Sequence, residues 1–444
     1  MLNNRIISAG MALMLAAHML SPCVASAEDE KGFHEVYALA KARDPLVGKA
    51  GAKVDAGSAD QDIAWSAILP RINANAGMRR MWHTVLNSND DQEGSYEGYN
   101  YSIGGQLPIF TAPSYFQISA ANSGFRSAEA GLTAAQQDLI VRVVQSYVAL
   151  LKAQTDEKLY RDELARVSKI LSQAEAFLKA GTGDVIAVYE AKARMDSAAA
   201  DLVKAQAQRS IAEQNLASLA GVNIKTVKDI PVTTPLGPDP NDMVWWMNAM
   251  EKENPGLRKV REDLKQAESI STANRAGHLP TFQLQGGYTV DKGSTYLPKV
   301  ETKQWYVGVN VSLPIYSGGE TWARTKRAVA AESEQRYILA DAQDQSTKRL
   351  KEAFLNLQYN VSIAEAYKRK YESAGLQLKA TAKGREIGTR TAIDLLNAEQ
   401  TFATSNRDFS HAMYDNLLRR LELKAAAGLL AESDLHPAAE KDKK

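Results

Sequence analysis

Cysteine is nearly absent from this chain of 444 residues, which contains only Cys23. Residues 1–27 are predicted to form a signal peptide, because an apolar run follows Arg5 and Ala25-Ser26-Ala27 has the small-x-small pattern of a cleavage site. The exported mature chain then has no cysteine, which excludes internal disulfides and thiolate metal sites. Cys23 also fits a lipoprotein signal, although Pro22 immediately before it disfavours lipidation.

Long hydrophobic runs are also missing once the leader is set aside. No later stretch reaches the roughly eighteen apolar residues that a transmembrane helix needs, so any membrane crossing must use strands. Net charge is low as well, because 53 basic residues nearly balance 52 acidic residues and leave +1. This balance gives no indication of a nucleic-acid partner.

Signatures of catalysis, cofactors and metals are absent from the sequence. The glycine pairs at 286–287 and 318–319 are not phosphate loops, because neither is followed by Lys-Ser or Lys-Thr. The acidic residues form no recognisable catalytic pair or triad. We therefore expect no enzyme activity, no cofactor and no metal. The histidines that lack metal-ligand spacing are His34, His83, His278, His411 and His436.

The segment from Trp305 to Leu378 defines the architecture. Apolar and polar residues alternate from Trp305 to Leu313, as in a strand with one apolar and one polar face. Pro314 ends this strand, and the proline-free stretch 320–387 is rich in helix-forming residues. At 1.5 Å per residue, a helix of roughly 65 residues spans about 100 Å, which a compact domain could not contain.

A heptad pattern runs through this helix and through an earlier one, which indicates coiled-coil-like packing. The later pattern comprises Leu350, Phe354, Leu357, Val361, Ala364, Lys368, Tyr371, Gly375 and Leu378. The earlier pattern comprises Leu139, Val143, Ser146, Leu150, Ala153, Glu157, Tyr160, Leu164, Val167, Leu171, Ala174 and Leu178.

The chain contains an internal repeat, because the same landmarks return in the same order at an almost constant offset. Leu107-Pro108-Ile109-Phe110 returns as Leu313-Pro314-Ile315-Tyr316, and Gly181-Thr182 returns as Gly388-Thr389. We predict two repeats, each with a helix, a β-hairpin, a long helix and a second helix. The predicted segments are 28–221 and 243–430 for the repeats, 33–66 and 241–276 for their first helices, 222–242 for a linker and 431–444 for a polar, mobile tail.

The two hairpins supply four strands, with solvated loops expected at 81–98 and 291–304. Strands of about ten residues suit a tilted bilayer crossing, but an open sheet edge in lipid leaves backbone groups unsatisfied. Several chains must therefore share one barrel: two would fill its interior with side chains, whereas three would leave a passage. The expected strand–helix junctions are Pro70, Pro108, Pro280 and Pro314.

Together these features resemble the TolC family of outer-membrane efflux proteins. The resemblance rests on the leader, the twofold repeat, the junction Ser312-Leu313-Pro314-Ile315-Tyr316-Ser317-Gly318-Gly319 and the segment from Gly388 to Leu396. It implies a mostly α-helical homotrimer whose four strands per chain form a shared twelve-stranded β-barrel in the outer membrane. A coiled-coil tunnel of twelve helices would continue the barrel across the periplasm, with a small α/β belt formed by 222–242 and the C-terminal region.

The same resemblance implies a passive exit duct for proteins or small toxic compounds. Such ducts contact outer-membrane lipid, dock with a periplasmic adaptor protein and are driven by an inner-membrane ABC, RND or MFS transporter. A non-channel periplasmic or surface coiled-coil scaffold is the alternative function. A scaffold explains the heptads, but it does not explain paired hairpins at matching places in both repeats.

By resemblance, the periplasmic gate involves Arg390, Asp394 and Asn397. The family's arginine ties neighbouring helices and its aspartate faces the pore, whereas Asn397 replaces a second pore-facing aspartate. The alternative for Asp394 is an ordinary acid at a helix start, where it complements the helix dipole. Arg385 and Ala187 stand where the family has a latching tyrosine and its acidic partner, so the latch of this chain must differ.

The Gly-Thr turns are expected at the periplasmic tips, where glycine tolerates the positive φ of a tight helix reversal. By resemblance these turns dock the adaptor, while a plain turn is the alternative interpretation. The residues concerned are Gly181, Thr182, Gly183, Gly388 and Thr389.

Overall fold

The computed structural model describes residues 30–85, 92–230, 235–293 and 300–435. The predicted signal peptide, 1–27, lies outside the described residues. The helices are α1 (Phe33–Arg43), α2 (Pro45–Ser66), α3 (Ala112–Lys179), α4 (Val185–Ala220), α5 (Met243–Glu253), α6 (Pro255–Arg275), α7 (Glu320–Glu386) and α8 (Ala392–Ala427). The strands are β1 (Arg71–Val85), β2 (Gln92–Phe110), β3 (Thr281–Lys292) and β4 (Glu301–Ser312).

Two predicted helices are each divided at a proline, so the expectation of single helices at 33–66 and 241–276 is wrong. α1 ends before Pro45 and α5 ends before Pro255. The Asp44 carboxylate accepts hydrogen bonds from two amides in the first turn of α2, both at 2.9 Å. An asparagine caps α6 in the same way at 3.1 Å. Proline suits the first position of a helix and cannot continue the preceding one, so Asp-Pro and Asn-Pro both restart the helix.

The four strands form one antiparallel sheet in the order β1-β2-β3-β4, which confirms the prediction of four strands. β2 and β3 come from different repeats, and their pairing joins the two halves of the chain, with Ile103 opposite Tyr288. Within the described chain, β1 pairs only with β2, and β4 pairs only with β3. The sheet therefore has two outer edges, one from each repeat.

The strands of the first hairpin are longer than predicted. Strand residues occupy all of the described part of 81–98, so the expected loop is wrong there. The second hairpin extends in the same way into the loop expected at 291–304. β2 also passes through Pro108 instead of ending at it, and the register shifts between Pro108 and Phe110. Such a bulge lets the strand continue past Pro108, although proline has no amide donor for the ladder.

The pairing register gives the sheet one apolar face and one polar face. On the apolar face the side chains are solvent-exposed in the single chain, with Trp305 79% exposed. An exposed apolar surface of this extent indicates contact with lipid or another chain. One row of the apolar face comprises Ala74, Ile103, Tyr288 and Trp305, and the next row, on the polar face, comprises Asn75, Ser102, Thr289 and Gln304.

Two very long helices follow the hairpins, as predicted: α3 has 68 residues and α7 has 67. α4 packs along α3, α8 packs along α7, and α3 also contacts α8. Most heptad positions from Leu350 to Ala364 are buried, but Lys368 is exposed and Tyr367 packs against the neighbouring cluster in its place. Among the described residues, no helix is both long enough and apolar enough to cross a bilayer.

Next to the middle of α3, the residues before α1, the predicted linker and the C-terminal region pack together as a belt. The largest hydrophobic cluster lies there. The chain before α1 runs parallel to the linker at a bridge between Lys31 and Val227. The buried hydroxyl of Tyr147 on α3 donates hydrogen bonds toward the carbonyls of Lys31 and Lys228, at 3.2 Å and 2.7 Å. A single α3 side chain thus fixes both the segment before α1 and the linker to the long helix α3.

The first part of the predicted polar tail packs onto this belt. Glu432–Leu435 forms a 3₁₀ turn in which Leu435 is buried. Glu432 accepts a 3.0 Å hydrogen bond from the Tyr37 hydroxyl of α1. The expectation of a mobile tail is therefore wrong for these residues, and residues 436–444 lie outside the described chain.

Candidate functional site

The two Gly-Thr turns have the same hydrogen-bonded geometry. Gly181 and Gly388 have φ values of +75° and +77°, and their amides donate to the carbonyls of Leu178 and Arg385. The next amide in each turn, from Thr182 or Thr389, donates to a carbonyl five residues back at 3.0 Å or 2.8 Å. Both turns are therefore Schellman motifs, in which glycine supplies the left-handed residue that lets the chain reverse.

Gly183 lies inside the first turn, against the end of α3. A Cβ atom added there would come within 2.5 Å of the Leu178 backbone nitrogen. Any larger residue would force the backbone of this turn apart. The tip therefore requires glycine at 181 for its φ angle and at 183 for the available space.

Asp394 is the third residue of α8 and takes part in a capping box with Thr391. Its carboxylate accepts a hydrogen bond from the Thr391 amide at 2.9 Å, and its own amide donates to Thr391 Oγ1 at 3.1 Å. The hydrogen bond from the Thr391 backbone, together with nearby Arg390, holds the pKa of Asp394 below its ordinary value. The carboxylate is ionised at neutral pH, so the capping role is compatible with the charged role that the resemblance implies.

Arg390 lies against the end of α7. Its amide donates to the Gly384 carbonyl at 3.2 Å, and a Cβ added at Gly384 would come within 2.7 Å of Arg390 Cγ. The side chain therefore crosses the last turn of α7 at a glycine, the one residue type that leaves room for it.

The Asn397 side chain is bound to a different helix. Its Oδ1 accepts a hydrogen bond from Nη2 of Arg194 on α4, and Nη1 of the same guanidinium lies 3.3 Å from Gln400 Oε1. No sequence pattern connects positions 194 and 397, so Arg194 was not predicted to be a site residue. Only the knowledge that the tips of α4 and α8 lie side by side could have suggested this contact.

Arg385 and Ala187, the positions predicted by resemblance to replace the family latch, line one cavity between the two helical hairpins. The cavity has a volume of about 460 Å³ and lies between α3, α4 and the start of α8. Arg385 does not contact position 187 through a hydrogen bond; it donates to Gln173 Oε1 on α3 at 3.1 Å. Arg385 therefore contacts α3 through Gln173 and not α4 through position 187.

Charged and polar contacts join α3 to α8 on the side of this cavity that faces away from the tips, and together they form the α3–α8 seam. The Lys152–Asp415 ion pair is 2.7 Å long, and His411 lies 2.9 Å from Asp156. The next contacts toward the tips are Arg407 to the Tyr160 hydroxyl at 3.0 Å and Arg166 to Glu399 at 3.5 Å. Burial raises the pKa of Glu163, which lies near the lower end of this seam. The heptad pattern predicted packing here but not its polar character.

The predicted junction prolines lie at the ends of strands, with one exception. Pro70 and Pro280 immediately precede β1 and β3, and Pro314 follows β4 closely. Pro108 lies within β2, while the start of α3 is occupied by Pro113 instead. The predicted junctions omit Pro113, although proline near a helix N-terminus is a recognised start signal.

In the part of the chain that the structure describes, no group of three or more His, Cys, Asp or Glu side chains has a geometry that could hold a metal ion.

Comparisons with known proteins give one consistent family. A profile of the family described as outer membrane efflux protein matches residues 36–222 and 246–429. The outer membrane protein TolC of Vibrio cholerae is 29% identical over 415 residues, covering 90% of this chain and 91% of the relative. The alkaline protease secretion protein AprF of Pseudomonas aeruginosa is 26% identical, covering 91% and 86%.

Solved structures show the same fold at lower sequence identity. The Campylobacter jejuni CmeC outer membrane channel superposes with a TM-score of 0.76 at 18% identity, covering 94% of this chain and 89% of that one. The outer membrane protein VceC of Vibrio cholerae superposes with a TM-score of 0.75 at 17% identity, covering 89% and 96%.

Proposed function

Because the chain belongs to the outer membrane efflux protein family, we propose that it is the outer-membrane exit channel of a tripartite efflux or type I secretion system. The observation that carries this proposal is the two-faced, four-stranded sheet with free edges at β1 and β4, continuous with helices of 68 and 67 residues. A buried sheet in a scaffold protein would cover its apolar face within the chain, whereas this face is exposed.

The free sheet edges support a shared barrel. An unpaired strand edge in hydrocarbon leaves backbone donors and acceptors unsatisfied, at several kcal/mol each. Pairing β4 of one copy with β1 of the next removes every edge when the ring closes. Three copies give twelve strands, which leave a passage, and the apolar face then contacts outer-membrane lipid while the polar face lines the lumen.

The helices continue this barrel as a tunnel. Near the tips each chain contributes α3, α4, α7 and α8, and near the barrel it contributes α2, α3, α6 and α7. Three chains therefore supply twelve helices at either level. α3 and α7 each span about 100 Å at 1.5 Å per residue, which suits a periplasmic crossing.

The tunnel acts as a passive duct in this proposal, without catalytic chemistry of its own. A periplasmic adaptor docks on the tips formed by Gly181-Thr182-Gly183 and Gly388-Thr389, which the Schellman motifs fix in matching shapes. An inner-membrane ABC, RND or MFS transporter supplies the energy. The name of the relative AprF refers to protease secretion, which supports the export of proteins.

The periplasmic gate lies at the start of α8 in this proposal. Arg390 ties the end of α7 to a neighbouring helix, and the charged carboxylate of Asp394 faces the entrance. Replacing Arg390 with alanine should raise the resting conductance of the reconstituted channel, because the contact across Gly384 is lost. Unchanged conductance of the variant would assign Arg390 to the turn alone.

Assembly and location test the main proposal directly. Protein extracted from outer membranes in mild detergent should have the mass of a trimer, because the open sheet edges need neighbours. A stable monomer with intact strands would rule out the shared barrel. Fractionation gives an independent result: mature protein released in soluble form with the periplasm would support the coiled-coil scaffold instead.

A further inference from the structure

The two helical hairpins of each chain separate near their tips. Farther from the tips, the α3–α8 seam holds the hairpins together, and its contact nearest the tips is Arg166 to Glu399 at 3.5 Å. Between this contact and the tips lies the cavity of about 460 Å³, lined by Phe177 and Ala187 on one side and by Ile393 and Leu396 on the other. Close packing between the hairpins is therefore interrupted at the level of the proposed gate.

Two arginines cross this gap. Arg194 reaches from α4 to α8, where it binds the side-chain oxygens of Asn397 and Gln400. Arg385 reaches from α7 to Gln173 on α3 at 3.1 Å. Both arginines line the cavity, so each bridges the space between the hairpins.

The Arg194 contact involves one of the predicted gate residues directly. Asn397 was expected to stand in for a pore-facing aspartate, but its oxygen is occupied by the guanidinium of Arg194. The contact is charge-assisted on the donor side and has a neutral amide as acceptor, so a carboxylate at the same position would bind the guanidinium more strongly. Asn397 and Gln400 lie one turn apart on α8, which lets one planar guanidinium bind both.

We propose that Arg194 is a positioning residue that ties α8 to α4 in the closed tip, with Asn397 and Gln400 as its partners. The inference rests on the proposed channel function and names the contact that regulates its entrance. Moving α7 and α8 away from α3 and α4 at this level breaks the Arg194 and Arg385 contacts without opening a packed core. The closed entrance is therefore held by a small number of hydrogen bonds, which a docking partner can replace.

Planar-bilayer recordings of the purified full-length channel test this tie. Each net hydrogen bond shifts an equilibrium by a factor of about two to ten. Arg194→Ala and Asn397→Ala should therefore each raise the resting open probability about two- to tenfold. Asn397→Asp should lower it below wild type, because the guanidinium then meets a carboxylate. In the Asn397→Ala background, Arg194→Ala should add only the smaller contribution of Gln400.

Lys383→Ala is the matched control. Lys383 lies near the same tip and loses the same charge, but its ion pair with Glu386 is within α7 and does not bridge the hairpins. Its resting open probability should equal that of wild type. If wild type forms channels while Arg194→Ala and Asn397→Ala behave like Lys383→Ala, the tie is refuted. A rise in open probability with Asn397→Asp would also refute it. Failure of the wild-type protein to form any channel would instead refute the proposed function.

Discussion

Arg209 on α4 donates a 2.7 Å hydrogen bond to Glu157 on α3. This carboxylate is at a heptad position in the packed interface between the two helices. Glu157 is only 5% exposed, and Arg161 of the same helix binds its other oxygen. The two arginines explain how an acid occupies a position where the heptad predicts an apolar residue. A buried charge is tolerated when its partners remain in place.

Removing this carboxylate should destabilise the helical region. Glu157→Ala leaves the half-buried Arg209 guanidinium with fewer acceptors, at a cost of roughly 2 to 4 kcal/mol. Thermal unfolding followed by circular dichroism at 222 nm measures the effect. Glu320→Ala is the control, because its pair with Arg324 is exposed and is worth less than about 1 kcal/mol. Equal unfolding temperatures for the two variants would contradict the buried-pair interpretation.

Asn416 should anchor the linker to α8. The side chain is buried, accepts from the Leu236 amide at 3.0 Å and donates to the Leu236 carbonyl at 3.1 Å. Asn416→Ala leaves both backbone groups without this partner, at about 1 to 3 kcal/mol. Hydrogen exchange at residues 235–242 should accelerate in this variant. In Gln345→Ala, which removes an exposed contact within α7, exchange there should be unchanged; acceleration in both variants would show a general loosening instead.

Stability at acidic pH should depend on Asp44. Burial alone would raise its pKa, but hydrogen bonds from Arg142 and from the amides of Val47 and Leu46 outweigh burial and hold the pKa below its ordinary value. Because the folded-state pKa is depressed, the ionised carboxylate contributes stability above about pH 4, the unfolded value, and this contribution is lost as pH falls through the folded pKa. Asp44→Asn should weaken the decline in unfolding temperature between neutral pH and pH 3. An identical decline in wild type and variant would exclude Asp44 as a source.

Asp394 should control cation block at the periplasmic entrance. Three copies of this carboxylate in a trimer attract multivalent cations, since like charges close together favour a shared counterion. Asp394→Ala and Asp394→Asn should both weaken block of single-channel current by cations added on the periplasmic side, while the trimer persists. Asparagine keeps an acceptor for the Thr391 amide, so an effect of alanine alone would assign Asp394 to helix capping.

Much of this protein follows from local sequence rules. Alternation from Trp305 to Leu313 predicts a two-faced strand, and the heptads predict the packing of α3 and α7. The Gly-Thr turns predict the tips, because only glycine adopts their φ values without strain. The internal repeat predicts that each of these elements occurs twice. Apart from the repeat, these signals depend on residues close together in the chain.

Tertiary structure decided the features that depend on residues far apart in sequence. The strands continue through 81–85 and 92–98 because the ladder between β1 and β2 satisfies their backbone groups, although the residue types there are typical of a loop. Glu432–Leu435 packs because α1 offers partners that the sequence cannot place. The contact of Arg194 with Asn397 exists only because the fold brings the start of α4 beside the start of α8. Hydrogen bonds between distant side chains leave no periodic signal, so the structure alone reveals them.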